Sequence, residues 1–436
     1  MNSKLFKGSA GVLFLQIAGI FFSLAISMLL TRALGVQQFG LYNYVLALIS
    51  ILVIPAQFGV ATLIVRETAK AEAMKEWGTM KGVWLWSSRI SLVISCLLIF
   101  GSILYFNFFS ANTDAIVKAV FISGCLLIPL ISLNSMREAA LRGLRRVVLA
   151  QLPDSVFRPI TLILLILIVM LINKNHFSAK MVISFNVIST FMAFLFGVYL
   201  LKTVSPPSVA ACKAPKYMHK AWLLSVLPLS LLEGVNIINA QTDIVMLGIF
   251  GTMADVGIYK VAFQGAYFTT LGLTAISTAA TPYFSQYHAE GNIFSLAKTA
   301  RNCARGSMIL ALPVFILFYF WGDVILGLLF GQEFKIAYRV LLILSTIQLI
   351  NAAFGTSGRI LNMCGYEKDT LLGMSLAAVI NIILNYLLIP KYGAIGAAMG
   401  TGTAILFKNF LLWFRVYKRL NIDSSILGLQ FKAGNI

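Results

Sequence analysis

The sequence predicts an all-α polytopic membrane protein, with about twelve transmembrane helices arranged in two six-helix lobes. The chain has 436 residues, of which 59% are hydrophobic and 11% are charged, and its mean hydropathy is +0.89. Soluble domains carry about 25% charged residues. Twelve apolar runs are each long enough to cross about 30 Å of hydrocarbon, which takes about 20 residues of helix. A weak repeat between the two halves of the chain supports the division into two lobes.

The twelve predicted spans follow one another with short polar connections. To within a few residues, we place them at 9–31, 41–65, 83–106, 115–137, 148–172, 181–202, 221–250, 256–284, 305–330, 337–358, 370–389 and 393–417. The longer runs predict helices that tilt or that continue past the bilayer.

The connection between the first two spans, residues 31–44, is a short polar turn. It contains Gly35 and Gly40, and glycine can end one helix and open the next. A related stretch returns at residues 250–263, again between two apolar runs. In both stretches a glycine is followed two residues later by a tyrosine, as Gly40/Tyr42 and Gly257/Tyr259. The echo indicates an internal duplication.

A second pair of similar stretches supports the same duplication. Gly143 and Gly365 each lie in a charged loop that leads into a span, at a similar offset along the chain. Near the last span, Gly396 and Gly400 are spaced for a tight contact between helices. Two six-span halves with the same orientation would be parallel repeats about an axis along the membrane normal.

The longest polar connection, residues 203–220, contains three prolines and divides the spans six and six. We therefore predict an N-terminal lobe at 1–202, a cytoplasmic linker at 203–220, a C-terminal lobe at 221–420 and a cytoplasmic tail at 421–436. Of the 34 lysines and arginines, 24 lie on the side of the two termini and 6 on the opposite side. Because cytoplasmic loops are enriched in basic residues, both termini are predicted to be cytoplasmic.

The composition argues against several classes of function. The net charge of +19 is spread over short loops, which favours the positive-inside bias over nucleic-acid binding. The five cysteines and three histidines are scattered, so no metal or redox site and no cofactor is predicted. No GxxxxGK[ST] motif occurs, so any energy source is an ion gradient, the membrane potential or downhill use of the product.

Polar residues recur on single faces of several spans. Because a polar group in hydrocarbon is costly, such faces predict either contacts between helices or the wall of a polar cavity. The polar cavity residues that we predict are Gln16, Asn43, Gln57 and Asn236. Asn381 and Asn385 lie one turn apart on the eleventh span.

Charged residues inside spans are the strongest functional signals. The basic candidates for substrate binding are Arg89, Arg158 and Lys260. The acidic candidates for ion coupling are Glu233, Asp243 and Asp154, of which Glu233 lies about halfway along the seventh span. Two structural alternatives remain open: Asp154 and Arg158 are four residues apart and can pair on one face, and Arg89 can snorkel to the cytoplasmic interface.

Three stretches resemble a known family: TRALGVQQFGLYNYVLALIS (31–50), QFGVATLIVRETAK (57–70) and AQTDIVMLGIFGTMADVGIYKVAFQ (240–264). With twelve spans in two halves, they are similar to the Wzx-type O-antigen flippases of the multidrug/oligosaccharidyl-lipid/polysaccharide superfamily. The resemblance extends over nearly the whole chain.

The resemblance implies two six-helix lobes forming a V around a central cationic cavity in a bacterial inner membrane. It implies alternating access that moves an undecaprenyl-pyrophosphate-linked oligosaccharide from the cytoplasmic to the outer leaflet. Membrane lipids and the polysaccharide polymerase machinery are the implied partners, and Arg89, Arg158 and Lys260 are the implied pyrophosphate ligands. The first span departs from some relatives, because it carries Gln16 and Ser23 at mid-depth and no charge.

Three other functions compete with a flippase. A cation-coupled multidrug exporter of the same superfamily would use buried carboxylates such as Glu233, Asp243 and Asp154. A membrane enzyme that acts on lipid-linked sugars would need a large outer loop, and all the outer loops are short. A scaffolding protein would not need charged spans, so we predict a transporter and not an enzyme.

Overall fold

The computed structural model describes the backbone of residues 2–57, 59–108, 114–172 and 177–428, and the side chains of these residues except 2–10, 12–13, 107 and 227–233. All regular structure in these residues is helical, and none of it is β-strand. The chain divides into two compact units, Met1–Gln241 and Thr242–Ile436.

The described residues of the first unit form ten α-helices, the last of which continues into the second unit. Their bounds are α1 (Asn2–Gln57), α2 (Val60–Met74), α3 (Trp77–Phe108), α4 (Ala115–Gly124), α5 (Leu127–Gly143), α6 (Val147–Leu152), α7 (Arg158–Ile172), α8 (Ala179–Val204), α9 (Pro207–Ala211) and α10 (His219–Phe250). A π-helical turn, Pro153–Phe157, joins α6 to α7.

The second unit contains the end of α10 and five further helices. These are α11 (Met253–Ala289), α12 (Ile293–Phe330), α13 (Tyr338–Phe354), α14 (Ser357–Met363) and α15 (Glu367–Leu420), with a 3₁₀ turn, Gln332–Ala337, before α13.

In the described residues the twelve predicted spans fall on helices, some of them divided by a short break, and the predicted all-α membrane fold is confirmed. Eight helical segments of the described residues are long and apolar enough to cross a membrane. Two of them, in α1 and α15, are interrupted at Gly35 (φ 70°) and Gly393 (φ 52°), so each supplies two spans. The second predicted span is broken after Gln57, because Gly59 adopts a left-handed backbone conformation (φ 63°) and α2 starts anew at Val60.

The boundary between the two compact units lies within α10, downstream of the predicted linker. The start of α10 belongs to the core of the first unit, where Trp222 and Val226 pack against Trp86 and Met136. The rings of Trp86 and Trp222 are 5.4 Å apart. The predicted division of the spans into two lobes, with a linker at residues 203–220, therefore stays a prediction.

The part of the predicted linker between α8 and α10, residues 205–218, packs against the N-terminal end of α3. The Lys216 amide donates to the Gly78 carbonyl over 2.9 Å, and Lys81 Nζ donates to the Cys212 carbonyl over 2.6 Å. A Cβ on Gly82 would lie 1.9 Å from the carbonyl oxygen of Lys216. A glycine at position 82 is therefore required for the linker to approach α3.

We expect Gly82→Ala to displace the linker and to expose it to protease. Because cleavage follows the population of the open form, residues 205–218 should be cut about tenfold faster in the purified protein. Gly101→Ala is the matched control, since it lies on the same helix and a Cβ there meets no atom within 4 Å. Equal cleavage rates in the two variants would contradict the role assigned to Gly82.

The segment after α15, residues 421–428, packs on the second unit as a C-terminal strap. Ile422 and Ser424 are buried. The Ser357 and Ser424 hydroxyls are 2.9 Å apart, and the Ile426 amide donates to the Ala353 carbonyl over 3.0 Å. The strap therefore ties the end of α15 to α13 and α14.

Candidate functional site

In each unit a buried polar cluster joins several helices. The cluster of the second unit is built around Asp243 on α10, and the cluster of the first unit around Arg158 on α7. Both include a tyrosine of the repeated Gly-x-Tyr motif, which is Tyr259 in the second unit and Tyr42 in the first. We describe each cluster within its own unit.

The Asp243 carboxylate is 3% exposed and accepts three hydrogen bonds from neutral groups. Its Oδ2 accepts from the Tyr259 hydroxyl over 2.7 Å. Its Oδ1 accepts from the Nδ2 atoms of Asn381 and Asn385, each over 2.8 Å. Among the described residues no lysine, arginine or histidine forms an ion pair with it, so its charge is met by neutral donors alone.

Local sequence explains how α15 closes around this carboxylate. Asn381 and Asn385 are four residues apart and so share one helix face, as predicted. After the break at Gly393 the helix folds back, where the Ala394 amide donates to Asp255 over 3.2 Å. The predicted glycine contact is confirmed here, because a Cβ on Gly400 would lie 2.5 Å from Asn385 Oδ1.

Buried oxygen atoms without a hydrogen-bond donor belong to the residues that bind Asp243. Within the described residues, the Oδ1 atoms of Asn381 and Asn385 are buried without a hydrogen-bond partner. The Thr401 hydroxyl lies 3.1 Å from the Tyr259 hydroxyl at the edge of the cluster. A carboxylate with amide oxygens is a ligand set for a hard cation, and an isolated intramembrane carboxylate is also a proton acceptor.

The cluster of the first unit holds Arg158 through a neutral side chain. Arg158 Nη2 donates to Asn186 Oδ1 over 2.9 Å, and Asn186 Nδ2 donates to the Tyr42 hydroxyl over 3.0 Å. Asn186 is 2% exposed, whereas Arg158 is half-buried. Sequence reasoning missed Asn186, which carried no signal beyond being a polar residue in a span.

The suggested pairing of Asp154 with Arg158 is wrong. Asp154 Oδ2 instead accepts from Arg137 Nη2 over 2.6 Å. The π-helical turn between them changes the angular spacing, because the Arg158 amide bonds to the Pro153 carbonyl five residues back. Arg137, which the sequence placed at a loop edge, is 4% exposed and packs where Gly197 leaves room for its guanidinium.

The other predicted residues lie apart from these two clusters. Arg89 is exposed on α3, and Lys260 is half-buried on α11; neither has a hydrogen bond or an ion pair to another described residue. Asn43 is buried but donates to the carbonyl of Phe39 on its own helix over 2.8 Å. The remaining three are the exposed Gln16 and Asn236 and the half-buried Gln57. The side chain of Glu233 lies outside the described residues.

Comparison with known proteins gives consistent matches over most of the chain. Residues 5–288 match the family model described as Polysaccharide biosynthesis protein, and residues 237–387 match the MatE model. The chain is 26% identical over 418 residues to the Probable low-salt glycan biosynthesis flippase Agl15 of Haloferax volcanii, covering 93% of this chain and 80% of that protein.

Two solved structures show the same fold at low sequence identity. An inward-facing multidrug resistance MATE family transporter of the MOP superfamily aligns with a TM-score of 0.75 and 14% identity, covering 92% of this chain and 94% of that one. The lipid II flippase MurJ, in an inward closed conformation, aligns with a TM-score of 0.71 and 17% identity, covering 94% and 87%.

Proposed function

The chain belongs to the polysaccharide biosynthesis protein family, and we propose that it is a flippase that moves a lipid-linked glycan across the membrane. The family assignment confirms the resemblance drawn from the sequence, and a match to a named glycan flippase over most of the chain supports the proposed activity. We propose as substrate an undecaprenyl-pyrophosphate-linked oligosaccharide, such as an O-antigen unit or a related surface polysaccharide unit.

The observation that supports this proposal is the environment of the Arg158 side chain. It is a half-buried guanidinium in a membrane span, and its described hydrogen-bond partner is a neutral amide. No carboxylate among the described residues forms an ion pair with it, and an intramembrane cation of this kind favours an anionic head group. We assign Arg158 to the pyrophosphate, whereas Arg89 and Lys260 stay basic candidates that only the sequence suggests.

We propose that Asp243 couples transport to a proton or a sodium ion. Its oxygen-rich surroundings suit either ion, and a change in its occupancy would bias the positions of α10, α11 and α15, which all contact it. This assigns the ion to the second unit and the anionic substrate to the first. We place the protein in a bacterial inner membrane, with both termini in the cytoplasm.

A cation-coupled multidrug exporter is the second function that an observation favours. The MatE match covers residues 237–387, and an exporter would also use the Asp243 carboxylate. The two functions differ at Arg158, because a cationic drug gains nothing from a guanidinium in its path. Flippase activity requires Arg158, whereas export of cationic drugs does not.

The proposed function is tested by deleting the gene and by reconstituting the protein. Deletion should cause an undecaprenyl-pyrophosphate-linked oligosaccharide to accumulate on the cytoplasmic side, detected by mass spectrometry of the lipid extract. Proteoliposomes containing the purified protein should expose a labelled lipid-linked oligosaccharide to an added pyrophosphatase, and empty liposomes should not. If the deleted strain gains drug sensitivity with normal lipid intermediates, the exporter is the correct function.

A further inference from the structure

The guanidinium of Arg158 is held by a two-residue relay within the first unit. Asn186 Oδ1 accepts from Arg158 Nη2 over 2.9 Å, and Asn186 Nδ2 donates to the Tyr42 hydroxyl over 3.0 Å. Asn186 and Tyr42 are 2% and 6% exposed. The relay therefore connects α7, α8 and α1 through buried polar groups.

Tyr42 supports the orientation of the Asn186 amide that Arg158 requires. An asparagine side chain has one acceptor end and one donor end, whereas a guanidinium has donors only, so Oδ1 must face Arg158. Nδ2 then faces the Tyr42 hydroxyl, which accepts its hydrogen bond and holds the amide in place. If the amide turned over, two donor groups would face each other and Arg158 would lose this anchor.

The relay anchors Arg158 without cancelling its charge. Arg137 in the same unit is 2% exposed over its side chain and is paired with the Asp154 carboxylate, so that arginine is neutralised. Arg158 is held by an amide instead, which leaves the positive charge and the other N–H groups of the guanidinium for a ligand.

We propose that Asn186 and Tyr42 are positioning residues that orient Arg158 toward the diphosphate of a lipid-linked substrate. This inference rests on the proposed function. A rigidly held, planar guanidinium can meet two phosphate oxygens at once, and less side-chain entropy is lost on binding when its position is already set. The relay thus acts on substrate affinity through Arg158.

The second unit supplies a matched control. Tyr259 occupies the same place in the Gly-x-Tyr echo, but its hydroxyl donates to the Asp243 carboxylate. Each tyrosine hydroxyl also lies next to a polar residue of the last span in its half, Asn186 or Thr401. Tyr42→Phe therefore removes a hydroxyl from the Arg158 relay, and Tyr259→Phe removes one from the Asp243 cluster.

The test measures transport of a labelled short-chain prenyl pyrophosphate disaccharide into proteoliposomes. Tyr42→Phe should raise the KM for this substrate about three- to tenfold, the effect of one lost hydrogen bond, with kcat and ion dependence near wild type. Tyr259→Phe should instead change the dependence on sodium or pH and leave the KM near wild type. Equal shifts in KM for the two variants would contradict the proposal.

A double-mutant cycle separates positioning from a general structural role. In an Arg158→Lys background, Tyr42→Phe should raise the KM little further. The compact ammonium group of lysine has no planar geometry that Asn186 and Tyr42 could orient. An additive loss in both backgrounds, or a loss explained by less folded protein, would overturn the proposal. Normal transport by Arg158→Ala would instead refute the role of Arg158 in the proposed function.

Asn186→Asp tests the importance of a neutral anchor. The substitution keeps the acceptor that faces Arg158 but places a negative charge beside it. We expect affinity for the prenyl pyrophosphate probe to fall by more than in Tyr42→Phe, with membrane protein levels near wild type. Wild-type affinity in Asn186→Asp would show that the neutral anchor has no role in binding.

Discussion

Replacing Asp243 by asparagine should remove the dependence of transport on a sodium or proton gradient and slow transport about a hundredfold. The carboxylate is the charged centre of its cluster, and three donors converge on it from Tyr259, Asn381 and Asn385. An amide offers one acceptor oxygen and brings donors of its own, so it cannot accept at both carboxylate oxygen positions and the three hydrogen bonds cannot all be kept. The change is measured by transport in proteoliposomes with imposed sodium or pH gradients.

The same variant should lower stability by about 1–3 kcal/mol, since buried donors lose their acceptor. Asp369→Asn is the matched control, because Asp369, in the first turn of α15, pairs with Arg415 and Arg419 near its other end at 3.3 Å and 3.0 Å. Those arginines are partly exposed, so removing the pair should cost less than about 1 kcal/mol and leave the gradient dependence unchanged. Asp243→Asn with a normal response to both gradients would remove Asp243 from ion coupling.

Replacing Arg158 by alanine should reduce transport about a hundredfold while the amount of folded protein in the membrane stays near wild type. The guanidinium is bound to a neutral amide, so its removal leaves no carboxylate of the described residues unpaired. Arg158→Lys should restore part of the activity, because a lysine keeps the charge but not the planar fork. Transport and membrane protein level are measured on the same preparations.

Arg137→Ala gives the contrasting result that makes the Arg158 experiment specific. It leaves Asp154 without its cation and opens a cavity beside Gly197, so it should lower stability by about 3 kcal/mol. Arg142→Ala, which breaks an exposed pair with Glu138 on the same helix as Arg137, should change neither transport nor stability measurably. A loss of folded protein in Arg158→Ala equal to that in Arg137→Ala would show that Arg158 is structural.

The positions of the helices were predictable because the bilayer restricts the backbone. A span in hydrocarbon must satisfy its own N–H and C=O groups, so an apolar run of sufficient length becomes a helix. Gly35 was recognisable as a break in α1, since few residues other than glycine adopt positive φ. The break after Gln57 was not predicted, because the apolar pattern continues through it.

The candidate site was predictable only as far as residues that share one helix. Asn381 and Asn385 were placed on a common face by their spacing, and both contact Asp243. The echo of Tyr42 and Tyr259 was visible as well, although nothing in it indicated which partner each hydroxyl would meet. The pairing of Asp154 with Arg158 failed because one π-helical turn changes the spacing of side chains around the axis.

The sequence by itself determined the membrane class, the helices and the types of charge within the spans, because these follow from hydropathy and from the obligatory hydrogen bonding of the backbone. Only the tertiary structure decided which arginine is paired with a carboxylate and which is bound to a neutral amide. Arg137 and Arg158 are both arginines of predicted spans, yet one meets a carboxylate and the other an amide. That difference depends on side chains that meet from separate helices. It therefore cannot be predicted from the spacing of residues along one helix.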